Sequence, residues 1–172
     1  IPRSLDGRLP ARPVAGIDLC CRVGDSTAVL AWCCPPGSRV HGLEISADFV
    51  ARARRRAYHD HDGRSATVTF GVQSVLEPWR DADGAILAEG SLDLVNASGA
   101  VGCHFDRAAC RTLVAECARV LRPGGVATID AGPAGTDAAT LHRLFTDAGF
   151  RLEARHRSCP LDQYRQLCLR RR

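Results

Sequence analysis

Apolar strand-like runs alternate with helical stretches five times along this chain, and then two strands follow one another with no helix between them. Alternation of this kind makes each return crossing a helix. Consecutive strands therefore run the same way, in a mostly parallel sheet covered by helices on both faces. The strand runs are Val14–Leu19, Arg39–Glu44, Ala66–Val72, Leu92–Asn96 and Gly125–Asp130, and the closing pair is Arg151–Arg157 and Tyr164–Leu169. Joined by a loop alone, that last pair is expected to be antiparallel. A chain of 172 residues, 45% hydrophobic and 24% charged, is expected to form one domain, residues 1–172, with a core of useful size.

The intervening helices carry start and stop signals. Asp25 or Ser26 is expected to cap a helix that Pro35-Pro36-Gly37 stops near Cys33. Ser46 caps a second, with Phe49, Val50, Ala53 and Ala57 inward and Arg52, Arg54, Arg55 and Arg56 outward. A short helix is expected near Asp81–Ala88. Asp106 caps a helix with Cys110, Leu113, Val114, Cys117 and Leu121 on one stripe. Another runs from Asp137 to Ala148, with Leu141, Leu144 and Phe145 inward and Gly149 as its stop. Residues 1–13, rich in Pro and Arg, read as an extended lead-in.

Charge and cysteine content narrow the function classes. All 23 Lys/Arg positions are arginine, yet the net charge is only +4. Arg170-Arg171-Arg172 is expected to be a solvated chain end and not a nucleic-acid contact. The sequence has no apolar run long enough to span a bilayer and no secretory signal, so a cytoplasmic location without membrane contact is expected. The nine cysteines (Cys20, Cys21, Cys33, Cys34, Cys103, Cys110, Cys117, Cys159 and Cys168) include no C-x-x-C pair, which argues against a zinc ribbon or a thioredoxin-like site. Several fall on apolar faces, where they are expected to be buried free thiols. His59-Asp60-His61-Asp62 has metal-ligating residue types, but it lies after the second helix and is expected to be a solvated turn. No metal site is assigned.

The stretch Ala15–Glu44 carries the chemistry. An apolar strand ends in Asp18, a tight turn closes at Gly24, a short helix follows, and a second strand ends in Glu44, 26 positions after Asp18. Such a turn offers backbone N–H groups at a helix start, and the second carboxylate accepts from ribose hydroxyls. Further on, Arg119-Val120-Leu121-Arg122-Pro123-Gly124-Gly125 ends a helix and leads into another strand. Together these features resemble the class I S-adenosylmethionine-dependent methyltransferases. The resemblance implies a three-layer, Rossmann-like, doubly wound α/β sheet of seven strands, in the order 3-2-1-4-5-7-6, with only the last antiparallel.

What the resemblance implies for individual residues follows the family's Asp/Glu-x-Gly-x-Gly-x-Gly turn. The turn here reads Asp18-Leu19-Cys20-Cys21-Arg22-Val23-Gly24, so Asp18 and Gly24 match while Cys20 and Arg22 replace glycines. Glycine serves there for close backbone approach, sometimes at positive φ. Arg22 can turn outward, cover the methionine carboxylate, or block the site. Glu44 corresponds to the ribose-binding acid, Ile45 packs on adenine, Ser74 stands where an adenine-binding Asp is expected with Val75 beside it, and Asn96 sits beside the methionyl part. His104 is the candidate for contact with the acceptor's nucleophile. Trp79 reads as a core or lid residue. The implied activity is methyl transfer from S-adenosylmethionine to a small-molecule acceptor. Two alternatives stand beside it. One is a non-catalytic cofactor-binding or structural module, suggested by Cys20, Arg22 and Ser74. The other is a thiol-dependent arsenite methyltransferase, suggested by cysteine abundance, with Cys103 best placed. The short segments before the first strand and after Asp130 imply a shallow acceptor pocket, or one completed by a further segment or a protein partner.

Overall fold

The computed structural model describes residues 1–157, 161 and 163–172. Seven strands form one sheet: β1 (Ala15–Leu19), β2 (Arg39–Glu44), β3 (Thr67–Val72), β4 (Leu92–Ala97), β5 (Leu121–Ala131), β6 (Phe150–His156) and β7 (Arg165–Arg171). Their order is β3-β2-β1-β4-β5-β7-β6. β1 to β5 pair in parallel, while β7 is antiparallel to both β5 and β6, so β7 is the one reversed strand.

Side chains alternate across the strands and sort the core into two faces. Ile17, Leu19, Val95, Ala127 and Ile129 point to one side, where helices α5 (Arg107–Val120) and α6 (Ala138–Asp147) bring Cys110, Leu113, Cys117, Leu141 and Phe145. Val14, Val40, Leu94, Val126 and Cys168 point to the other, against Leu5 of α1 (Pro2–Leu5) and Leu30 of α2 (Asp25–Cys33). α3 (Ala47–Ala53) adds Val50 and Ala53 against Tyr58 and Phe70. Trp79 is fully buried and donates its Nε1 to the Val75 carbonyl, a core residue.

Four expectations are corrected. The lead-in is not wholly extended: Pro2 at the first helical position has the fixed φ that starts α1. The helix near Asp81–Ala88 is absent; Asp81 Oδ1 accepts from the amides of Asp83 and Ala85, Gly84 takes φ +83°, and Arg80 pairs with Ile86 across a turn. α3 stops at Ala53, so Ala57 is exposed, and Tyr58 packs inward in its place with its hydroxyl on the Ala53 carbonyl. The terminal arginines are not a free tail. Arg170 makes a two-pronged contact with Glu153 on β6, and Arg171 donates to the Leu121 carbonyl.

The helix after the first turn is preceded by Gly24 in left-handed geometry, with no side-chain cap. Ser26 is drawn instead to Asp18. By contrast, Ser46, Asp106 and Asp137 cap their helices as their positions imply. Between Leu92↔Leu121 and Leu94↔Val126 the register shifts, because Arg122-Pro123-Gly124-Gly125 bulges opposite the single residue Asp93.

Candidate active site

All parallel strands end on one edge of the sheet, and there the order 3-2-1-4 reverses direction between β1 and β4. That crevice is where doubly wound sheets bind ligands. Asp18, at the tip of β1, is fully buried. Its Oδ2 accepts from Ser26 Oγ (2.7 Å) and Thr27 Oγ1 (2.6 Å), and its Oδ1 from Asn96 Nδ2 (2.7 Å). Burial pushes its carboxyl above the usual range, and the three hydrogen bonds pull it back. Asp18 thus ties the end of β1 to the first turn of α2 and to β4, instead of presenting a free oxygen. Asn96 is equally enclosed, its Oδ1 accepting from Thr128 Oγ1 at 2.7 Å. Its side chain is fully engaged below the crevice, which leaves only main chain at this position to face a ligand.

The turn that follows keeps a glycine-like path through non-glycine residues. Cys20 sits at φ +53°, Arg22 at +49° and Gly24 at +86°. Each left-handed non-glycine residue costs about 1–2 kcal/mol. At Gly24 a side chain is barred twice, by φ and by the Tyr58 hydroxyl, 2.1 Å from where a Cβ would stand. The turn is pinned from outside as well. Glu44 Oε2 accepts from the Arg22 amide and Oε1 from the Ser46 amide, both at 3.0 Å. Each carboxylate oxygen carries two lone pairs, so Glu44 has further acceptor capacity. The Arg22 guanidinium leaves the turn and lies over the Phe49 ring, 5.8 Å from its centroid.

Beside this turn the edge is apolar. Ile45 is 71% exposed, and Val72 and Leu76 are also exposed. Val75 is buried, and half-buried Ser74 accepts from the Leu76 amide through its own hydroxyl. Cys20 is partly buried. Burial, then the charges of Glu44, Asp18 and Asp130, push its thiol up to about 12, so it is a neutral thiol at pH 7.

Past β4, Asp130 Oδ1 accepts from the amides of Ala100 and Val101 (3.2 Å each) and Oδ2 from Gly102 (2.8 Å), which fastens the single-turn helix α4 (Val101–His104). His104 ends that turn and is exposed. A cavity of about 580 Å³ opens over the ends of β4, β5, β6 and β7, with α1 as one wall. Ser98, Gly99 and Asp130 line it, whereas His104 does not. Its floor is a chain of hydrogen bonds: Ser4 Oγ to Gln166 Oε1 (3.1 Å), Gln166 Nε2 to Ser98 Oγ (2.8 Å), and Ser98 Oγ to Asn96 Oδ1 (3.4 Å). Through Asn96 this chain reaches Asp18 and the turn after β1.

The structure therefore brings Cys20, Arg22, Gly24, Glu44, Ile45, Ser74 and Val75 to the C-terminal edge of β1, β2 and β3, with Val75 buried, puts Asp18 and Asn96 within the fold beneath that edge, and leaves His104 exposed at the end of α4. Asp130, Gln166 and Tyr58 went unnoticed in the sequence. Only Asp130, an acid at a strand tip like Asp18 and Glu44, carried a signal that could have found it. The eight cysteines among the described residues are free thiols, and burial raises seven of them, including Cys34 to about 12 and Cys168 to about 11. Cys159 lies outside the described residues. No group of three metal-ligating side chains converges among the described residues, and His59–Asp62 forms a turn closed by the Asp60 carboxylate. The three-thiol arsenite reading thus finds no site there.

Residues 17–125, more than half of the chain, match the methyltransferase-domain family. The chain belongs to the class I S-adenosylmethionine-dependent methyltransferases. No curated protein matches it. Solved structures share the fold at low identity. Magnesium protoporphyrin IX methyltransferase from Synechocystis PCC 6803 with bound S-adenosylmethionine is similar, with TM-score 0.72 at 20% identity over 97% of this chain and 73% of that one. A methyltransferase from Methanosarcina mazei reaches 0.75 at 14% identity, over 97% and 96%. A TehB-like methyltransferase from Corynebacterium glutamicum reaches 0.70 at 17%, over 99% and 86%.

Proposed function

We propose that the chain binds S-adenosylmethionine in the crevice between β1, β2 and β4 and transfers its methyl group to a small-molecule acceptor lying over β4 and β5. The observation that carries this reading is the left-handed backbone at Cys20 and Arg22. A turn that had lost its ligand would be free to relax at two non-glycine positions; this one keeps the ligand-shaped path despite the strain. In this reading Glu44 holds the ribose hydroxyls with its remaining lone pairs, the exposed Ile45 packs on the adenine, and Ser74 and Val75 border the base. The cofactor supplies an activated methyl on a sulfonium. The protein's work is then alignment and exclusion of water, and a general base is needed only for a weakly acidic acceptor. His104, exposed at the end of α4 and outside the cavity lining, is the candidate for that role.

Titration calorimetry with S-adenosylhomocysteine tests the reading. The wild-type chain is expected to bind, and Glu44→Ala to weaken binding by about 1.5–3 kcal/mol, the scale of hydrogen bonds to a charged group, or about ten- to hundred-fold in Kd. A folded wild-type chain that binds neither S-adenosylhomocysteine nor S-adenosylmethionine would favour the structural-module alternative instead.

A further inference from the structure

We propose that the cavity over β4 to β7 is the acceptor pocket and that it selects an elongated small molecule bearing an oxyanion, a carboxylate or a phosphate, at the end away from the methylated atom. The inference rests on the methyltransferase reading for which end of the acceptor reacts, but its charge argument stands independently.

The cavity has two unlike ends. Near β4 it is lined by Ser98 and Gly99, beside the crevice where the cofactor is placed. At the far end it is lined by His156, which closes β6, by Arg157 just after it, by Arg165, which opens β7, and by Arg3 from α1. Adjacent strands lie about 4.8 Å apart, so β7 and β6 are about 10 and 14 Å from β4 across the sheet. An acceptor whose reacting atom lies over β4 thus carries its other end among three guanidinium groups. The described lining holds one acid, Asp130, and both its oxygens already accept the amides of α4. Three guanidinium groups thus line the far end. Arg157 and Arg165 have other contacts in the fold. A guanidinium has five N–H donors in a planar fork, so an arginine held in place by one partner still presents donors to a carboxylate or phosphate.

His156, half-buried in the lining, is subject to the same charges: its imidazole is held below the usual range, by burial first and then by the positive charges of Arg8 and Arg3.

The test uses three probes of one length on the intact chain: 4′-hydroxybiphenyl-4-carboxylate, the corresponding phosphonate, and the neutral 4′-hydroxybiphenyl-4-carboxamide. Each is titrated by calorimetry, with and without saturating S-adenosylhomocysteine. At least one oxyanion is expected to bind ten-fold or more tighter than the amide, and which one it is assigns the oxyanion. The preference is expected to shrink with added salt and to fall five-fold or more in Arg3→Gln and Arg165→Gln. Variant folding is checked by thermal unfolding, and the comparison of probes on the wild-type chain needs no variant. Equal binding of oxyanions and amide, or no oxyanion binding up to millimolar concentration, overturns the proposal. Failure of S-adenosylhomocysteine to bind strikes the methyltransferase reading alone, since the charge preference is also read without it.

Discussion

At the residue scale the departures from glycine are the decisive positions. Arg22 was legible as an anomaly, but its three outcomes could not be separated without the Phe49 ring, which lies 27 positions away in sequence and 5.8 Å away in space. With the guanidinium outside the turn, Arg22→Gly should leave S-adenosylhomocysteine affinity within about three-fold, since half a kcal/mol is roughly the scale of an exposed cation–π contact. A large gain in affinity, measured by calorimetry, would show that the side chain obstructs the pocket. Removing a side chain from left-handed backbone relieves about 1 kcal/mol of strain, partly offset by the greater chain entropy of glycine when unfolded. Cys20→Gly, which gives up no aromatic contact, should therefore match or slightly exceed wild-type stability in urea melts. A loss above 1 kcal/mol would mean that the thiol's packing outweighs the strain. The place of Glu44 at the tip of β2 was readable from its spacing to Asp18. The roles of Asp18 and Asn96 were not, because nothing in local sequence says that their side chains bond each other across 78 positions.

At the element scale the alternation of strands and helices was legible wherever hydrophobic period and turn chemistry agreed. β2 coincides with its sequence limits, and Ser46, Asp106 and Asp137 cap as expected. The reading failed where a polar side chain competed with the pattern, as Asp81 does by folding its own turn. Asp18 joins three elements, β1, α2 and β4, so Asp18→Ala strands two hydroxyls and an amide in the interior. At about 1–3 kcal/mol for each unsatisfied group, a loss of several kcal/mol is expected in denaturant unfolding. Glu153 joins β6 to β7. The Arg170 fork, and then Arg151, hold its carboxyl below the usual range against its partial burial. A depressed folded-state pKa stabilises at pH above the unfolded value, near 4.5, and this contribution is lost as pH falls through the folded value. Glu153→Gln should therefore be less stable than wild type at pH 7, and the difference should narrow as pH is lowered below 4.5. A gap independent of pH would assign the effect to packing.

At the scale of the whole molecule, the proposed function divides two tasks along one edge of the sheet. β1, β2 and β3 carry the turn, Glu44 and the exposed apolar tip, while β4 to β7 and α1 build the cavity. Strand order could not be read from periodicity; it came from resemblance, whereas α1 was not foreseen at all, since residues 1–13 read as an extended lead-in. The division makes a prediction about where binding energy is felt. A ligand that binds only the folded state stabilises it by about 2.7 kcal/mol at a hundred times its Kd, which for a chain of this length raises Tm by roughly 5–11 °C. Saturating S-adenosylhomocysteine should produce a shift of that order in the wild-type chain and a smaller one, at the same concentration, in Glu44→Ala. Hydrogen exchange should locate the same effect. Amides of residues 20–26, 44–46 and 73–76 should gain protection, because they border the crevice. Amides of 150–156 and 165–171 should change little, because β5 and β4 stand between them and the crevice, and the side-chain route through Gln166, Ser98 and Asn96 has a long Ser98–Asn96 step of 3.4 Å. Protection spread evenly over both halves would mean that the sheet responds as one rigid unit and that acceptor and cofactor pockets are energetically coupled.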